Sequence, residues 1–225
     1  MIKTVIFDLD STLYDESDYI LQGFKEAAKK IGKDFCLKKS ARKATFARLK
    51  DFYSKGERNL IFNQVLKHQF PLLPAEEINR YVEQELLLYY KLARRELKLY
   101  SEVIPLFRYL QENGKKIGLV TQGHPVNQIY KLSLLNVVDY FDAIEISGFY
   151  PAQRSKPSPF LFRRILARLN TKPSQAIYVG DNFKTDIGAV KAGIPLCYLN
   201  NGKSMKFESP LVRHIYSLKD IRKLI

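Results

Sequence analysis

Two aspartates stand one residue apart, immediately after the first apolar run of the chain. Residues 5–7 have the composition of a buried strand and lead directly into Asp8 and Asp10. A carboxylate can act as a nucleophile and form an acyl phosphate, which makes Asp8 a candidate nucleophile. Asp10 lies on the same side of an extended chain, where it can pass a proton to a leaving oxygen and later take one from water.

Three other polar residues follow later apolar runs. Thr121 and Asp181 each stand just past such a run, and Lys156 lies in the loop after another. Asp181 and Asp8 together would form the oxygen-rich site that Mg²⁺ prefers, completed by waters and a substrate phosphate. The metal and the Lys156 ammonium would offset the repulsion between these acids and an anionic phosphate. The Thr121 hydroxyl and backbone N–H groups near Gln122 could hold phosphoryl oxygens.

The elements that carry these residues alternate between strand and helix. We predict strands at 4–9, 117–120, 143–146, 176–179 and 195–199, and helices at 103–111, 126–134, 159–169 and 185–192, with a last helix capped at Ser217. Short apolar strands that alternate with helices predict a parallel sheet covered on both faces. Ligands bind beyond the carboxyl ends of such strands, so the polar residues named above are expected at one crevice.

A helical block separates the first strand from the rest. Its predicted helices cover 17–31, which Gly32 would end, then 37–53, 59–69 and a long segment from residue 75 whose apolar face runs through Ala93. We therefore predict an α/β fold: a doubly wound parallel sheet with a Rossmann-like core and an inserted all-helical cap domain. The core would comprise 1–15 and 99–225, and the cap 16–98.

Four motifs resemble those of the haloacid dehalogenase-like hydrolase superfamily, and they span the whole chain. The family's DxDx[TV] motif corresponds to residues 8–12, and its apolar strand ending in Ser or Thr corresponds to residues 119–121, followed by Gln122 and Gly123. The lysine of the family's third motif corresponds to Lys156, and its GDxxxxD motif corresponds to residues 180–186. Gln122 departs from the Asn found in many members.

The resemblance implies roles for the matching residues. Asp8 would be the nucleophile, and Asp10 the acid and base whose backbone carbonyl also binds metal. Asp181 would be a metal ligand, and Asp186 would support the metal shell or Lys156, although Asp186 could also cap its helix. The dehalogenases of the superfamily lack the second aspartate, so its presence favours phosphate chemistry. The resemblance thus implies a phosphohydrolase that uses Mg²⁺, which Mn²⁺ can replace, on a small phosphorylated metabolite.

Composition sets the context. The 225 residues are 46% hydrophobic and 12% aromatic, which is typical of a globular protein. No apolar run reaches the length of a membrane span, the start lacks a signal pattern, and the two cysteines lie far apart. We expect a cytoplasmic protein with reduced cysteines and no membrane partner, present as a monomer or homodimer.

Two alternative functions stay open. A phosphomutase of the same superfamily would use the same residues but return the phosphoryl group to bound substrate. A non-catalytic or nucleic-acid-binding protein could use residues 25–58, which hold twelve Lys or Arg against four Asp or Glu. The complete motifs weigh against nucleic acid, and the basic residues could equally form a solvated face or attract anionic substrates. Tyr14, Tyr53 and Arg58 are candidates for substrate specificity because they lie near the first motif or in the insert.

Overall fold

Six strands form one parallel sheet in the order β3-β2-β1-β4-β5-β6. In the computed structural model, which describes residues 1–55, 60–87, 97–200 and 209–225, they are β1 (Thr4–Phe7), β2 (Lys116–Thr121), β3 (Ala143–Ile146), β4 (Ala176–Gly180), β5 (Leu196–Leu199) and β6 (Val212–Ile215). This is the strand order of a doubly wound, dinucleotide-binding type of fold. The predicted parallel α/β architecture is confirmed.

The helices follow the predicted alternation. They are α1 (Glu16–Asp34), α2 (Lys39–Ser54), α3 (Ile61–Gln69), α4 (Ala75–Tyr81), α5 (Val103–Glu112), α6 (Pro125–Leu135), α7 (Phe160–Arg168) and α8 (Phe183–Lys191). Every residue of β1, β4 and β5 is buried, as expected for strands covered on both faces. Helix α7 packs against β2 and β3, and α8 packs against β4 and β5.

The edge strand β6 was not predicted. Its residues alternate in character, and Arg213 is exposed while only Ile215 is buried. A short, charged edge strand of this kind resists pairing with other chains. It was missed because it lacks the apolar run by which the other strands were recognised. The segment Leu218–Lys223 that follows is a 3₁₀ helix, and Ser217 caps it as predicted.

The chain divides into two compact units, one formed by Met1–Asp15 with Leu97–Ile225 and the other by Glu16–Glu96. The second unit is helical, and its core is made by apolar residues of α1 to α4 and the π-helical turn Val82–Leu86. The predicted position Ala93 lies outside the described residues. Within the described residues, we find no helix of the length and apolar character needed to cross a membrane.

The prediction that Gly32 ends the first helix was wrong. Gly32 is buried inside α1, and a Cβ there would lie 2.3 Å from the Arg42 side chain of α2. The helix ends instead with Cys36 in the left-handed conformation, at φ 50°. The Leu37 N–H donates to the Gly32 carbonyl at 2.8 Å and the Cys36 N–H to the Lys33 carbonyl at 3.2 Å, the two bonds of a Schellman motif. Gly32 therefore allows α1 and α2 to pack closely, and the exposed Cys36 adopts the left-handed conformation that ends the helix.

The cap at Ser217 provides a test of how the end of the chain is fixed. Its hydroxyl accepts from the Lys219 N–H at 3.1 Å and donates to Glu102 at 3.1 Å. Ser217→Ala should therefore lower the free energy of unfolding by about 1 kcal/mol, the typical value of a lost N-cap. Urea unfolding followed by circular dichroism measures this. Ser133→Ala, an exposed position in α6, is the matched control, and equal stability of the two variants would contradict the expectation.

Candidate active site

The carboxyl end of β1 lies between those of β2 and β4. Phe7 stands in register with Leu119 of β2 and with Val179 of β4. The Asp8 N–H continues the ladder by donating to the Val179 carbonyl at 2.8 Å. Asp8 is the first residue past β1, as Asp181 is past β4, and both are buried. The strand order reverses at this point of the sheet, which is where open α/β sheets bind ligands.

A buried lysine joins three of these segments. The Lys156 Nζ lies 2.9 Å from an oxygen of Asp8 and 2.9 Å from an oxygen of Asp186. It also donates to the Tyr178 hydroxyl at 2.9 Å. The Tyr178 hydroxyl in turn donates to the Asp186 carboxylate at 3.1 Å. An ammonium has three hydrogens, and these three partners match them. We call Lys156, Asp8, Asp186 and Tyr178 the Lys156 cluster.

The Lys156 cluster contains two carboxylates for one ammonium. Burial raises the pKa of Asp8 to about 8, with the charge of Lys156 opposing that rise and the charges of Asp186 and Asp10 adding to it. Burial alone would lower the pKa of Lys156, but the charges of Asp186 and Asp8 outweigh it and raise that pKa above its usual range. The lysine therefore stays charged, with Asp8 and Asp186 as its acidic partners.

Asp186 reaches this cluster because residue 180 is a glycine. A Cβ at Gly180 would lie 2.1 Å from the Asp186 Oδ2. That same oxygen accepts from the Asn182 N–H at 3.0 Å, at the N-terminus of α8. Asp186 thus accepts from the backbone at the helix start and contacts Lys156 as well.

Asp10 is the centre of a second group of contacts, on the side of β2. Its Oδ1 lies 2.6 Å from the Lys131 Nζ and also accepts from the Tyr14 hydroxyl. Its Oδ2 accepts from the Gln128 amide at 2.9 Å. Lys131 and Gln128 are both buried residues of α6. We call Asp10 and these three partners the Asp10 cluster.

The loop after β2 is connected to the Asp10 cluster. Thr121 is fully buried, and its hydroxyl lies 2.6 Å from the Gln128 amide nitrogen. The Gln122 side chain is exposed, and the backbone carbonyl of Gln122 accepts from the same amide at 3.2 Å. The Gly123 N–H donates to the Ser147 hydroxyl at 3.0 Å. Thr121 therefore lies beside Asp10, whereas the Gln122 side chain faces solvent.

A divalent cation would fit two of the predicted ligands. Asp8 and Asp181 are buried carboxylates at neighbouring strand ends. Burial is the main cause of the raised pKa of Asp8, so a cation beside it would stabilise its charged form. Mg²⁺ binds through one or two protein carboxylates together with waters and phosphate oxygens. Within the described ranges, no three His, Cys, Asp or Glu side chains form a metal-binding group. The Asp10 carboxylate is paired with Lys131, so the Asp10 atom that would bind the metal is its backbone carbonyl oxygen.

The three specificity candidates lie in different surroundings. Tyr14 is buried, and its hydroxyl contacts Asp10. Tyr53 belongs to α2 and packs edge-on against Phe24, with ring centroids 5.7 Å apart, in the core of the helical unit. Arg58 lies outside the described residues. Tyr14 is therefore tied to the acidic motif instead of being presented to solvent.

Three residues in contact with the motif carboxylates were missed from the sequence. Gln128, Lys131 and Tyr178 each form hydrogen bonds with an aspartate of the motifs. A signal existed for the first two, because they share the buried face of α6 with Leu132 and Leu135. Polar residues at core positions of a helix that follows a motif strand indicate a buried polar partner. Tyr178 gave no such signal, since a tyrosine in an apolar strand is ordinary.

Comparison with known proteins agrees with the motifs. A family model described as haloacid dehalogenase-like hydrolase matches residues 2–193. The chain is similar to a glyceraldehyde 3-phosphate phosphatase of Methanopyrus kandleri, with 30% identity over 92% of this chain and 88% of the relative. A protein of the same name from Pyrococcus furiosus is 28% identical over 90% of this chain and 82% of the relative. The resemblance drawn from the four motifs is confirmed.

Solved structures show the same fold. The crystal structure of a phosphatase of this family from Thermococcus onnurineus superposes with a TM-score of 0.67 and 24% identity, over 99% of this chain and 97% of the other. At that identity the likeness concerns the fold. The similarity in function depends on the curated relatives and on the residues of the site.

Gly180 can be tested as the residue that admits Asp186. Gly180→Ala should lower the free energy of unfolding by roughly 1–3 kcal/mol, because the new methyl group overlaps the Asp186 carboxylate in a packed core. Urea unfolding measures the loss. The same substitution in an Asp186→Ala background should cost less, since the closest overlapping atoms are gone and the nearest remaining atom is Tyr178 Cε1 at 3.0 Å. An equal cost in both backgrounds would show that the overlap with Asp186 is not the cause.

Proposed function

The chain belongs to the haloacid dehalogenase-like hydrolase family and is a phosphatase, and we propose that it hydrolyses phosphate monoesters of small metabolites through an aspartyl-phosphate on Asp8. The observation that carries this proposal is the pairing of buried Asp8 with Lys156 at 2.9 Å, at the carboxyl end of the central strand. A carboxylate fixed there by a cation is oriented to attack a phosphoryl group that enters from the crevice.

The proposed reaction has two steps. In the first step, a carboxylate oxygen of Asp8 forms a bond to phosphorus while the bond between phosphorus and the ester oxygen breaks. Asp10 enters this step in its protonated form and gives that proton to the departing oxygen, which leaves as an alcohol. In the second step, water attacks phosphorus, the bond to Asp8 breaks, and Asp10 takes the proton of the water. Inorganic phosphate and the original carboxylate result, so both aspartates return to their starting states.

The remaining residues bind and balance charge. Thr121 accepts a hydrogen bond from the Gln128 amide at 2.6 Å, which leaves its own hydrogen for a phosphoryl oxygen. The backbone near Gln122 can supply further N–H donors. Lys156 offsets the charges of Asp8 and Asp186, and this lowers the repulsion that an incoming phosphate meets.

A bound Mg²⁺ would be held by Asp8, Asp181 and the backbone carbonyl of Asp10, and Mn²⁺ could replace it. The cation would supply positive charge to the phosphoryl oxygens as they gain electron density. The two buried carboxylates at neighbouring strand ends support this assignment, because Mg²⁺ binds through carboxylate oxygens. Asp186 would act through Lys156, to which it is bonded at 2.9 Å.

The relatives narrow the substrates to try first. The similar proteins of Methanopyrus kandleri and Pyrococcus furiosus are named for a three-carbon phosphate. We propose that this chain acts on small phosphorylated metabolites of that class, and glyceraldehyde 3-phosphate is the first compound of a panel assayed for release of inorganic phosphate. Failure to hydrolyse any member, by a folded and metal-supplied protein, would contradict the proposal.

The nucleophile is tested by Asp8→Asn. Phosphate release should fall by at least about 100-fold, because an amide cannot serve as the nucleophile at a useful rate. Asp139→Asn, an exposed position, is the matched control and should keep the wild-type rate. Near-wild-type activity of Asp8→Asn, in a preparation free of other phosphatases, would rule out the aspartyl-phosphate.

The metal is tested by chelation. Activity should disappear after treatment with EDTA and return with Mg²⁺ or Mn²⁺. Asp181→Asn should raise the Mg²⁺ concentration for half-maximal activity by roughly 10-fold or more, since loss of even an outer partner of a metal ligand weakens binding 10–100-fold. Asp139→Asn is again the control. Hydrolysis that persists at full rate in EDTA would contradict the metal site.

A further inference from the structure

The Asp10 carboxylate is held from both of its oxygens. Oδ1 contacts the Lys131 ammonium at 2.6 Å and the Tyr14 hydroxyl, and Oδ2 contacts the Gln128 amide at 2.9 Å. Three donors on one carboxylate fix both its position and the direction of its lone pairs. The contacts of Gln128 and Lys131 with Asp10 join side chains that are 118 and 121 residues apart in the sequence. Tyr14, in contrast, is a near neighbour of Asp10 in the sequence.

The orientation of the Gln128 amide is determined by its neighbours. Its nitrogen faces the carboxylate of Asp10 and the carbonyl of Gln122, and both of these can only accept. The same nitrogen lies 2.6 Å from the Thr121 hydroxyl. One amide therefore connects the proposed proton-transfer group of the first motif with the proposed phosphate-binding hydroxyl of the second.

Lys131 is placed where a packing residue would normally be apolar. It is buried on the same face of α6 as Leu132 and Leu135, and its ammonium lies 6.0 Å from the centre of the Tyr14 ring. Burial of an ammonium is costly, and a buried ion pair adds little stability compared with well-packed apolar side chains. A role in stability alone thus gives no reason for a lysine here, whereas a role in orienting Asp10 does.

We propose that Gln128 and Lys131 are positioning residues for the acid-base step, holding the Asp10 carboxyl group at the ester oxygen. This inference rests on the proposed function, in which Asp10 gives a proton to the departing alcohol. Gln128 and Lys131 touch neither reacting atom; they act through the placement of the Asp10 carboxylate. A misplacement of about 1 Å at a catalytic group can lower a rate by ~10²-fold.

The leaving group provides a readout that a merely structural role would not change. Departure of 4-nitrophenolate needs little help from an acid, whereas departure of an aliphatic alkoxide depends on it. Leaving-group release is measured in a single turnover, with enzyme in excess, for 4-nitrophenyl phosphate and for the metabolite ester that the panel shows to be hydrolysed fastest. Loss of correctly folded enzyme would slow both esters by the same factor.

Lys131→Met and Gln128→Leu are the test variants. Each should slow the metabolite ester by roughly 10–100-fold and 4-nitrophenyl phosphate by less than about 3-fold, as expected for loss of a proton-transfer contribution. Lys131→Arg, which keeps a donor and a charge, should restore part of the rate with the metabolite ester. Lys116→Met is the matched control, because Lys116 bonds a backbone carbonyl at the opposite end of β2, and it should slow neither ester.

A double variant separates this inference from the proposed function. Asp10→Asn should itself show the leaving-group dependence, and adding Lys131→Met to it should cause no further loss, since both changes remove one action. Equal losses on both esters for Lys131→Met and Gln128→Leu, with Asp10→Asn still selective, would overturn the inference and leave the proposed function standing. Equal losses for Asp10→Asn would remove Asp10 as the acid, and the inference with it.

Discussion

The buried Lys156 ammonium is the interaction on which the rest of the site depends. A charge in the interior is tolerated only when its hydrogen bonds and its electrostatic partners are supplied by the protein. Asp8 comes from the end of β1, Tyr178 from β4 and Asp186 from α8, and each lies 2.9 Å from the same nitrogen. One side chain therefore fixes the relative positions of three elements around the crevice. The parallel register of the central strands provides the frame in which this is possible.

The two aspartates of the first motif are neighbours in sequence but have different surroundings. Asp8 is buried against Lys156, and burial raises its pKa, whereas Asp10 is partly exposed and contacts Lys131. Each carboxylate thus has its own lysine, one on the β4 side and one on the β2 side. Carboxylates that are close together but differently surrounded can take different roles in one reaction. The separation of nucleophile and proton-transfer group in the proposed mechanism has this physical basis.

Two uncharged residues, Gly180 and Gln128, lie against the aspartates of the site. Gly180 gives the Asp186 carboxylate the space to reach both Lys156 and the start of α8. Gln128 contacts residues of the first and second motifs with one amide nitrogen. Neither residue is charged, yet each lies directly against an aspartate of the motifs. Because one fold supports different activities, the activity of this chain depends on the residues of its site.

The sequence by itself determined the parallel sheet, the helical insertion and the strand ends at which Asp8, Asp10, Thr121 and Asp181 stand. These follow from local periodicity, because an apolar run marks a buried strand and the next polar residue marks its end. Local patterns were insufficient for Gly32 and for β6. Gly32 packs against Arg42 of another helix, and β6 is an edge strand that needs no apolar run.

Only the tertiary structure decided which side chains meet at the site. Gln128 and Lys131 contact Asp10 because of the rotation of α6 about its axis, and Tyr178 contacts Lys156 because of the face on which β4 presents it. Such contacts join residues far apart in sequence, and their distances depend on how whole elements pack. A sequence pattern shows the period of a helix or strand but not how that element is placed against its neighbours. Because hydrogen bonds form only over short distances, this placement decides which of them exist.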